Sequence, residues 1–589
     1  MTHHSLSRRS FIQYAVAGTA TVSLLGSCRQ KRSHSQSQDL ELPPLSPQAE
    51  GYNILFIFTD QERYFPQKPS GLTLPGHERL QQTGITFHNH YTSSTMCTAS
   101  RSVLLTGLST PVTGMFENTD VRYISNLSTD IPTYGHLLRQ SGYYTAYKGK
   151  WHLSRDFESE HKPLDLTQAM AEYGFSDYYD PGDIIGHTLG GYLNDHLVAG
   201  SAIRWLRNRG RMLNDEKRPW CLTVSLVNPH DVMYFNTDAK GENRQDNGNL
   251  AMEAARAPDH QLYQKTWDLP LPSNLYQSFD ELGRPQAHNE FHKMWGYILG
   301  TVPPEEEPWQ RLNNYYINCI REVDQHINRI LQELDHLDLS RQTIIIFSSD
   351  HGEMAGAHGL RGKGPFAYEE SIHLPFYIVH PDVEGGQNCQ ALTSHIDLVP
   401  TLLSMAGVKV EEQADLAGRE LPGKDLTTLL SQPEQVSVDA VRDSILFTYS
   451  GLMTNDSELV RFLSIVKDKD GGIRKAIKEG TRPNLKKRGS LRTVFDGQYK
   501  FTRYFSPTEH NQPSSIEDLY AANDVELFDL KDDPQEMNNL ALNKSDNEDL
   551  ILSMNQKLQQ RIQSEIGKDD GSELPNVPGI NWSLAKIDL

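Results

Sequence analysis

Tyr52-Asn53-Ile54-Leu55-Phe56-Ile57-Phe58 is a continuous apolar run that gives way to the polar pair Asp60-Gln61. It does not alternate, so both faces of an extended segment would be buried, as in a strand of a parallel sheet covered by helices on each side. Runs of the same kind recur at Cys221–Val227 and Thr343–Phe347. Helical patterns separate them at Pro132–Gln140, His196–Arg209 and Trp309–Leu337. The alternation predicts an α/β fold with a large, mostly parallel sheet sandwiched by helices. Ligands in such sheets bind beyond the carboxyl ends of strands. Asp60-Gln61 and Asp350-His351 both fall there, from two independent runs. A lone Asp at a strand end is usually a turn former. Two pairs at matching places favour a hard divalent cation, Ca²⁺ or Mg²⁺, which takes oxygen donors and tolerates one imidazole.

The 589 residues are enough for a large core and for two domains. Residues 51–430 carry the α/β pattern. Within them, residues 231–308 are polar, lack strong periodicity and read as a long substrate-side insertion. From residue 431 to 589 the pattern changes to short strands at Ser444–Tyr449, Phe462–Val466, Leu491–Phe495 and Lys500–Tyr504, then a helix at Asn547–Ile566. This predicts a smaller C-terminal antiparallel sheet plus helix. The basic stretch Arg474–Arg488 reads as a solvated hairpin or loop. A net charge of −20 argues against a nucleic-acid partner. Five cysteines over this length are no disulfide framework and show no metal-ligand spacing.

The first 28 residues resemble an export signal. Ser7-Arg8-Arg9-Ser10-Phe11-Ile12 is similar to a twin-arginine motif, and Tyr14–Gly26 is an apolar stretch too short to span a bilayer. Leu25-Gly26-Ser27-Cys28 resembles a lipoprotein cleavage box, with Cys28 as the lipid-anchored residue; the alternative is a plain signal cleaved nearby. Losing residues 1–27 removes two arginines and no acid, so the net charge would become −22. Residues 29–50, rich in Ser, Gln and Pro, read as a flexible tether. The expected location is bacterial and exported: periplasmic, or membrane-anchored by lipid, with the twin-arginine export machinery as a partner.

Cys97-Thr98-Ala99-Ser100-Arg101 opens a polar-to-apolar segment that stops at Leu105-Thr106-Gly107. As a helix it places Cys97 and Arg101 on one face, with Cys97 in the positive potential of the N-terminus. An isolated cysteine in that position is more often a buried free thiol, so the surroundings decide its meaning. Lys148-Gly149-Lys150-Trp151-His152-Leu153 follows the apolar run Tyr143–Tyr147. If it is extended, Lys150 and His152 point to the same side, where a cation and an imidazole can hold an oxyanion and move a proton. Asn228-Pro229-His230-Asp231 follows the Cys221–Val227 run, and Lys363 lies in the glycine-rich Gly359–Gly364.

Together these segments resemble the type I, formylglycine-dependent sulfatases of the alkaline phosphatase superfamily, over roughly residues 50–545 in order. The carrying motifs are Cys-x-Ala-x-Arg with its Leu-Thr-Gly stop, Gly149-Lys150-Trp151-His152, and the tail Glu526–Leu530 with Asp533-Pro534. The resemblance implies that Cys97 is oxidised to formylglycine by a maturation enzyme, and that a divalent cation (Ca²⁺, with Mg²⁺ or Mn²⁺ as alternatives) is held by Asp60, Gln61, Cys97, Asp350 and His351. It further implies that Arg101 orients the aldehyde hydrate, that Lys150 and Lys363 bind sulfate, and that His152 and His230 move protons. His358 is a lesser candidate. Gln61 stands where the family commonly has a second Asp. That departure is similar to the choline-sulfatase and phosphonate monoester hydrolase branch. The implied activity is hydrolysis of a small-molecule or oligosaccharide sulfate ester, a glycan being preferred. The alternatives are phosphonate monoester or phosphodiester hydrolysis on the same scaffold, or binding of sulfated ligands without turnover. Arg63 and the 231–308 insertion are expected to face the substrate.

Overall fold

The computed structural model describes residues 51–574 except 122, 159–165, 181, 184–187, 246–251, 253 and 467–482. The export signal, Cys28, the tether and most of the basic stretch 474–488 lie outside the described residues. Strand β1 (Asn53–Asp60) is an interior strand of a seven-stranded sheet completed by β2 (Ile85–Tyr91), β3 (Tyr144–Gly149), β4 (Trp220–Pro229), β5 (Thr343–Ser349), β6 (Tyr377–Val379) and β7 (Gln387–Ser394). The spatial order is β3-β4-β1-β5-β6-β2-β7. All neighbours run parallel except β6, which is antiparallel to both β5 and β2.

The unbroken apolar run of β1 has the cause inferred for it. Ile54, Phe56 and Phe58 pack on one face, with the helices Tyr134–Gln140 and Leu398–Met405. Leu55 and Ile57 pack on the other, with the helices Gly190–Trp205 and Glu306–His336. A strand with two buried faces has no polar side to show. β1 pairs with β4 through Ile54 opposite Cys221 and with β5 through Asn53 opposite Thr343. The carboxyl ends of β1 and β5 are therefore adjacent, and Asp60 and Asp350 lie side by side.

A second sheet comprises β8 (Ile445–Tyr449), β9 (Ser490–Phe495), β10 (Tyr499–Phe505) and β11 (Asp524–Asp529), an antiparallel meander in the order β11-β10-β9-β8. Leu446, Val494, Phe501 and Leu527 bury one of its faces under the helix Glu548–Glu565. Phe447, Leu491 and Tyr504 turn the other towards Tyr91 and Ile372 of the main body.

Three segments differ from expectation. Phe462–Val466 belongs to a helix, Ser457–Val466, in which Leu459 and Val460 are buried while Phe462 is 42% exposed; that is helical, not strand, periodicity. The fourth strand is instead β11, within the tail motif. The 231–308 stretch contains a regular helix, Gln286–Leu299, that buries Phe291, Met294, Trp295 and Leu299 at i, i+3, i+4 and i+8. Intervening His and Asn residues obscured that pattern. No described helix is long and apolar enough to cross a membrane.

Candidate active site

The helix Cys97–Thr106 starts below the carboxyl ends of β1 and β5 and ends at Gly107, whose left-handed φ of 68° lets its N–H reach the Val103 carbonyl. Every residue of the helix is buried. Arg101, one turn on from Cys97, joins both strand ends. Its Nη2 donates to Asp60 Oδ2 at 2.8 Å and its Nε to Asp350 Oδ2 at 2.9 Å. Its Nη1 donates to the Lys150 carbonyl and to Ser225 Oγ. Lys150 Nζ adds a second cation to Asp60 Oδ2 at 2.6 Å.

With the outer oxygens so occupied, the inner ones converge. Asp60 Oδ1 faces Cys97 Sγ at 3.7 Å and His351 Nε2 at 3.8 Å, and Asp350 Oδ1 is 3.6 Å from the same nitrogen. Sγ and His351 Nε2 are 3.2 Å apart. The ligand atoms of Asp60, Cys97, Asp350 and His351 all lie within 4.8 Å of one another. His351 Nδ1 points at the Gly352 carbonyl at 3.1 Å, so Nδ1 carries the proton and Nε2 presents a lone pair. Two carboxylate oxygens and an imidazole lone pair around one point suit a hard divalent cation.

Electrostatics sort these groups. Burial would raise Asp60, but Lys150, His230 and Arg101 outweigh it and hold the carboxyl well below the usual range. Burial and the charge of Asp60 push Asp350 up to about 7. Burial, then Asp60, pushes the Cys97 thiol up to about 11 despite Lys150 and Lys363. An unmodified Cys97 is therefore a protonated thiol at neutral pH, not an activated thiolate. His152, His230 and His351 are all driven well below 6.5, first by burial and then by the surrounding lysines.

Lys150 and His152 reach this centre by a route other than an extended strand. Gly149 has φ 90° and His152 φ 58°, so the chain turns sharply after β3. A Cβ on Gly149 would meet the Ser225 carbonyl at 2.0 Å, so only glycine fits there. Asp183 takes the backbone N–H groups of Trp151 and His152, each at 2.5 Å. Trp151, fully buried against Tyr147, Phe157, Tyr173 and Phe175, anchors the turn. The His152 carbonyl accepts from Thr98 Oγ1 at 2.7 Å, next to Cys97. Both of its ring nitrogens are buried with no hydrogen-bond partner among the described residues.

Both ends of the Gln61 carboxamide are hydrogen-bonded. Its carboxamide oxygen accepts from Lys363 Nζ at 2.6 Å and its Nε2 donates to Glu353 Oε2 at 2.5 Å, while its backbone N–H donates to Asp350 Oδ1 at 3.0 Å. Lys363 also touches Met233 Sδ at 3.2 Å. His230 begins a short helical turn, His230–Tyr234, directly after β4, within reach of the charge of Asp60. Arg63 lies over the Phe65 ring, near the Glu353 and Met354 carbonyls. His358 stacks on Tyr368 at 3.7 Å and bonds Gln277, away from the converging ligands.

A family model described as Sulfatase matches residues 52–408. The chain belongs to the sulfatase family. A choline-sulfatase of Rhizobium meliloti is 30% identical over 61% of this sulfatase and 68% of its own length. An N-acetylglucosamine-6-O-sulfatase of Bacteroides thetaiotaomicron is 26% identical over 71% and 79%. Among solved structures, one in complex with its substrate D-glucosamine-2-N,6-O-disulfate matches with TM-score 0.59 at 19% identity, over 89% of this chain and 99% of that one. The phosphonate monoester hydrolase of Agrobacterium radiobacter matches with TM-score 0.55 at 20% identity, over 87% and 96%. The sulfatase is a sulfuric ester hydrolase by family, and its fold is shared with both.

Sequence reasoning missed several supports. Glu353 orients Gln61 and also accepts the N–H of Gly362, beside Lys363. Its position two residues past His351 was the available signal. Asn118 Oδ1 accepts the Thr98 N–H at 3.2 Å, a cap supplied from outside the helix that no local motif announces.

Proposed function

We propose that this chain is an exported sulfatase that hydrolyses the sulfate ester of a glycan or related alcohol through a formylglycine made from Cys97. The carrying observation is the convergence of Cys97 Sγ, two carboxylate oxygens and the His351 lone pair within 4.8 Å, ringed by Arg101, Lys150 and Lys363. Asp60, Asp350 and His351 would hold a divalent cation, Ca²⁺ being the best match to the oxygen-rich set. When present, the cation supplies positive charge to the sulfuryl oxygens, and the Cys97-derived aldehyde hydrate supplies the attacking oxygen.

The remaining work falls to this chain's side chains. Lys150 and Lys363 neutralise the charge that develops on the sulfuryl oxygens, in a buried site where such charges are strongly felt. Arg101 fixes the two carboxylates and, through its turn of helix, the group at position 97. His230, at the end of β4, is neutral in the free site and serves the departing alkoxide as the proton donor only once the negative charge of the bound sulfate raises its hold on a proton. His152, with both ring nitrogens free and its backbone tied to Thr98, accepts a proton from the position-97 hydroxyl when sulfate is expelled. Gln61 orients Lys363 and enters the cation's surroundings through its backbone and that lysine. Residues 51–430 form the catalytic unit and residues 431–589 a supporting subdomain. Export by the twin-arginine route, with lipid attachment at Cys28 or simple cleavage, completes the proposal.

The test is expression with a formylglycine-generating enzyme. The peptide bearing Cys97 should be lighter by about 18 Da, the exchange of H₂S for O, and Cys97→Ala should abolish turnover of 4-nitrophenyl sulfate. Undiminished turnover by Cys97→Ala would refute the mechanism. A kcat/KM that strongly favours a phosphonate monoester over the aryl sulfate would replace the reaction class.

A further inference from the structure

The loop that carries Lys363 holds a second buried cation, Arg361, that the proposed chemistry does not use. Arg361 is 8% exposed. Its guanidinium is matched to backbone rather than to a carboxylate: Nη2 donates to the carbonyls of Val232 at 3.0 Å, Met233 at 2.9 Å and Phe235 at 3.3 Å. Burial lowers its pKa to about 10 against the opposing charge of Glu353, so it stays charged at neutral pH. Those carbonyls close the turn His230–Tyr234, which begins at the proposed proton donor. So short a turn leaves its last carbonyls without partners of its own, and Arg361 supplies them.

The base of this strut is fixed on both sides. The Leu360 carbonyl accepts the Gly356 N–H at 2.8 Å, and the Gly362 carbonyl accepts the Met354 N–H at 3.0 Å. The Gly362 N–H donates to Glu353 Oε1 at 2.7 Å. Lys363 is aimed separately, by Gln61 Oε1 at 2.6 Å, and touches Met233 Sδ at 3.2 Å. One loop therefore meets Met233 at two points, its carbonyl through Arg361 and its sulfur through Lys363. The start of the turn is tied elsewhere: the Asp231 carboxylate accepts the N–H groups of Gly191 and Tyr192, both at 2.9 Å. Arg361 is thus the polar link between the Lys363 loop and the far end of the His230 turn.

In a sulfate ester the sulfuryl oxygens and the bridging oxygen share one sulfur. A lysine that binds the former and an acid that serves the latter must therefore keep a set separation, and an error of about 1 Å can cost on the order of a hundredfold in rate. We infer that Arg361 is a positioning residue that sets the spacing between Lys363 and His230, and so aligns the proton donor with the leaving oxygen. The assignment rests on the sulfatase reading, with His230 as the acid.

Arg361→Ala removes the strut. The probes are 4-nitrophenyl sulfate and phenyl sulfate, whose more basic phenolate depends more on protonation. In the variant, kcat should fall roughly tenfold more on phenyl sulfate than on 4-nitrophenyl sulfate. KM should move by less than about threefold, since Lys363 keeps its own anchors. Arg361→Lys, which restores a charged donor, should recover part of the difference. In a His230→Gln background, Arg361→Ala should add no further discrimination between the esters, because a residue that acts through His230 has nothing left to align. If Arg361→Ala fails to fold, Arg361→Gln, which fills more of the space without the reach or the charge, takes its place in the same comparison. An equal fall on both esters, a loss confined to KM, or discrimination that adds in the double variant would overturn the assignment and leave Arg361 a structural tie. If His230→Gln alone treats the two esters equally, the acid role fails and the assignment falls with it. If the modified native protein hydrolyses no sulfate ester at all, the sulfatase mechanism itself fails, a result distinct from these.

Discussion

His77 provides a test of how the strand ends are supported. It lies in the helix Pro75–Thr83 and is 2% exposed, with Nδ1 2.6 Å from Asp324 Oδ1 and Nε2 2.9 Å from Glu62 Oε1. Glu62 in turn accepts from Thr59 Oγ1 and donates its N–H to Ser349 Oγ, both at 2.9 Å, tying together the residues that precede Asp60 and Asp350. Burial alone would lower the imidazole pKa. The charge of Glu62 and the hydrogen bond to Asp324 outweigh it and raise the pKa from 6.5 to about 10. Between those values the folded chain keeps a proton that the unfolded chain has released, so stability falls as pH rises. The contribution is complete below pH 6.5 and lost as pH passes through about 10. At about 1.4 kcal/mol per unit, the full span is on the order of 5 kcal/mol. The perturbation is His77→Gln, with urea-unfolding free energies measured at pH 6.5, 8 and 10. The advantage of the native protein over the variant should shrink by about 2 kcal/mol between pH 6.5 and 8, and by about 4 kcal/mol by pH 10, where the folded imidazole is half deprotonated. A constant difference across that range would show that His77 is not held charged, and the reasoning would be wrong.

Three further outcomes follow from the site. Arg101→Met leaves two buried carboxylates without their shared cation and should cost about 3–5 kcal/mol of unfolding free energy; a loss under about 1 kcal/mol would contradict the buried network. His230→Gln should lower kcat on an alkyl sulfate at least about tenfold more than on 4-nitrophenyl sulfate, whose phenolate leaves without a proton. Equal losses on the two esters would remove His230 from the acid role. Dialysis against EDTA should lower the melting temperature, and Ca²⁺ at about 100 times its Kd should return about 2.7 kcal/mol of stability. Absence of both a thermal shift and calorimetric Ca²⁺ binding would exclude a cation at Asp60, Asp350 and His351.

How much of this could be read in the chain depends on whether a residue's partner is near it in sequence. β1, β4 and β5 were legible because burial on both faces leaves an uninterrupted apolar run. β2 was not, since His88 and Asn89 interrupt it and find their partners outside the strand, His88 in Tyr64 and Asn388, Asn89 in Gln390 some 300 positions away. The candidate ligands appeared as adjacent pairs, since the end of one strand delivers two consecutive residues to one place. Their supports did not appear, because His77, Asp324, Asn118 and Asp183 each act on backbone or side chains brought close only by the fold. The extended reading of Lys150–His152 failed for a related reason. Local sequence shows that Gly149 can turn, whereas the obligation to turn comes from the Ser225 carbonyl on the neighbouring strand. That turn also matters for chemistry. An extended Lys150 and His152 would have shared one direction, but the left-handed His152 instead sends its carbonyl to Thr98 while Lys150 reaches Asp60. Lys150 and His152 therefore depend on separate anchors, so a substitution that loosens one, such as Asp183→Ala, would displace the imidazole proposed as the base without removing the Lys150 charge.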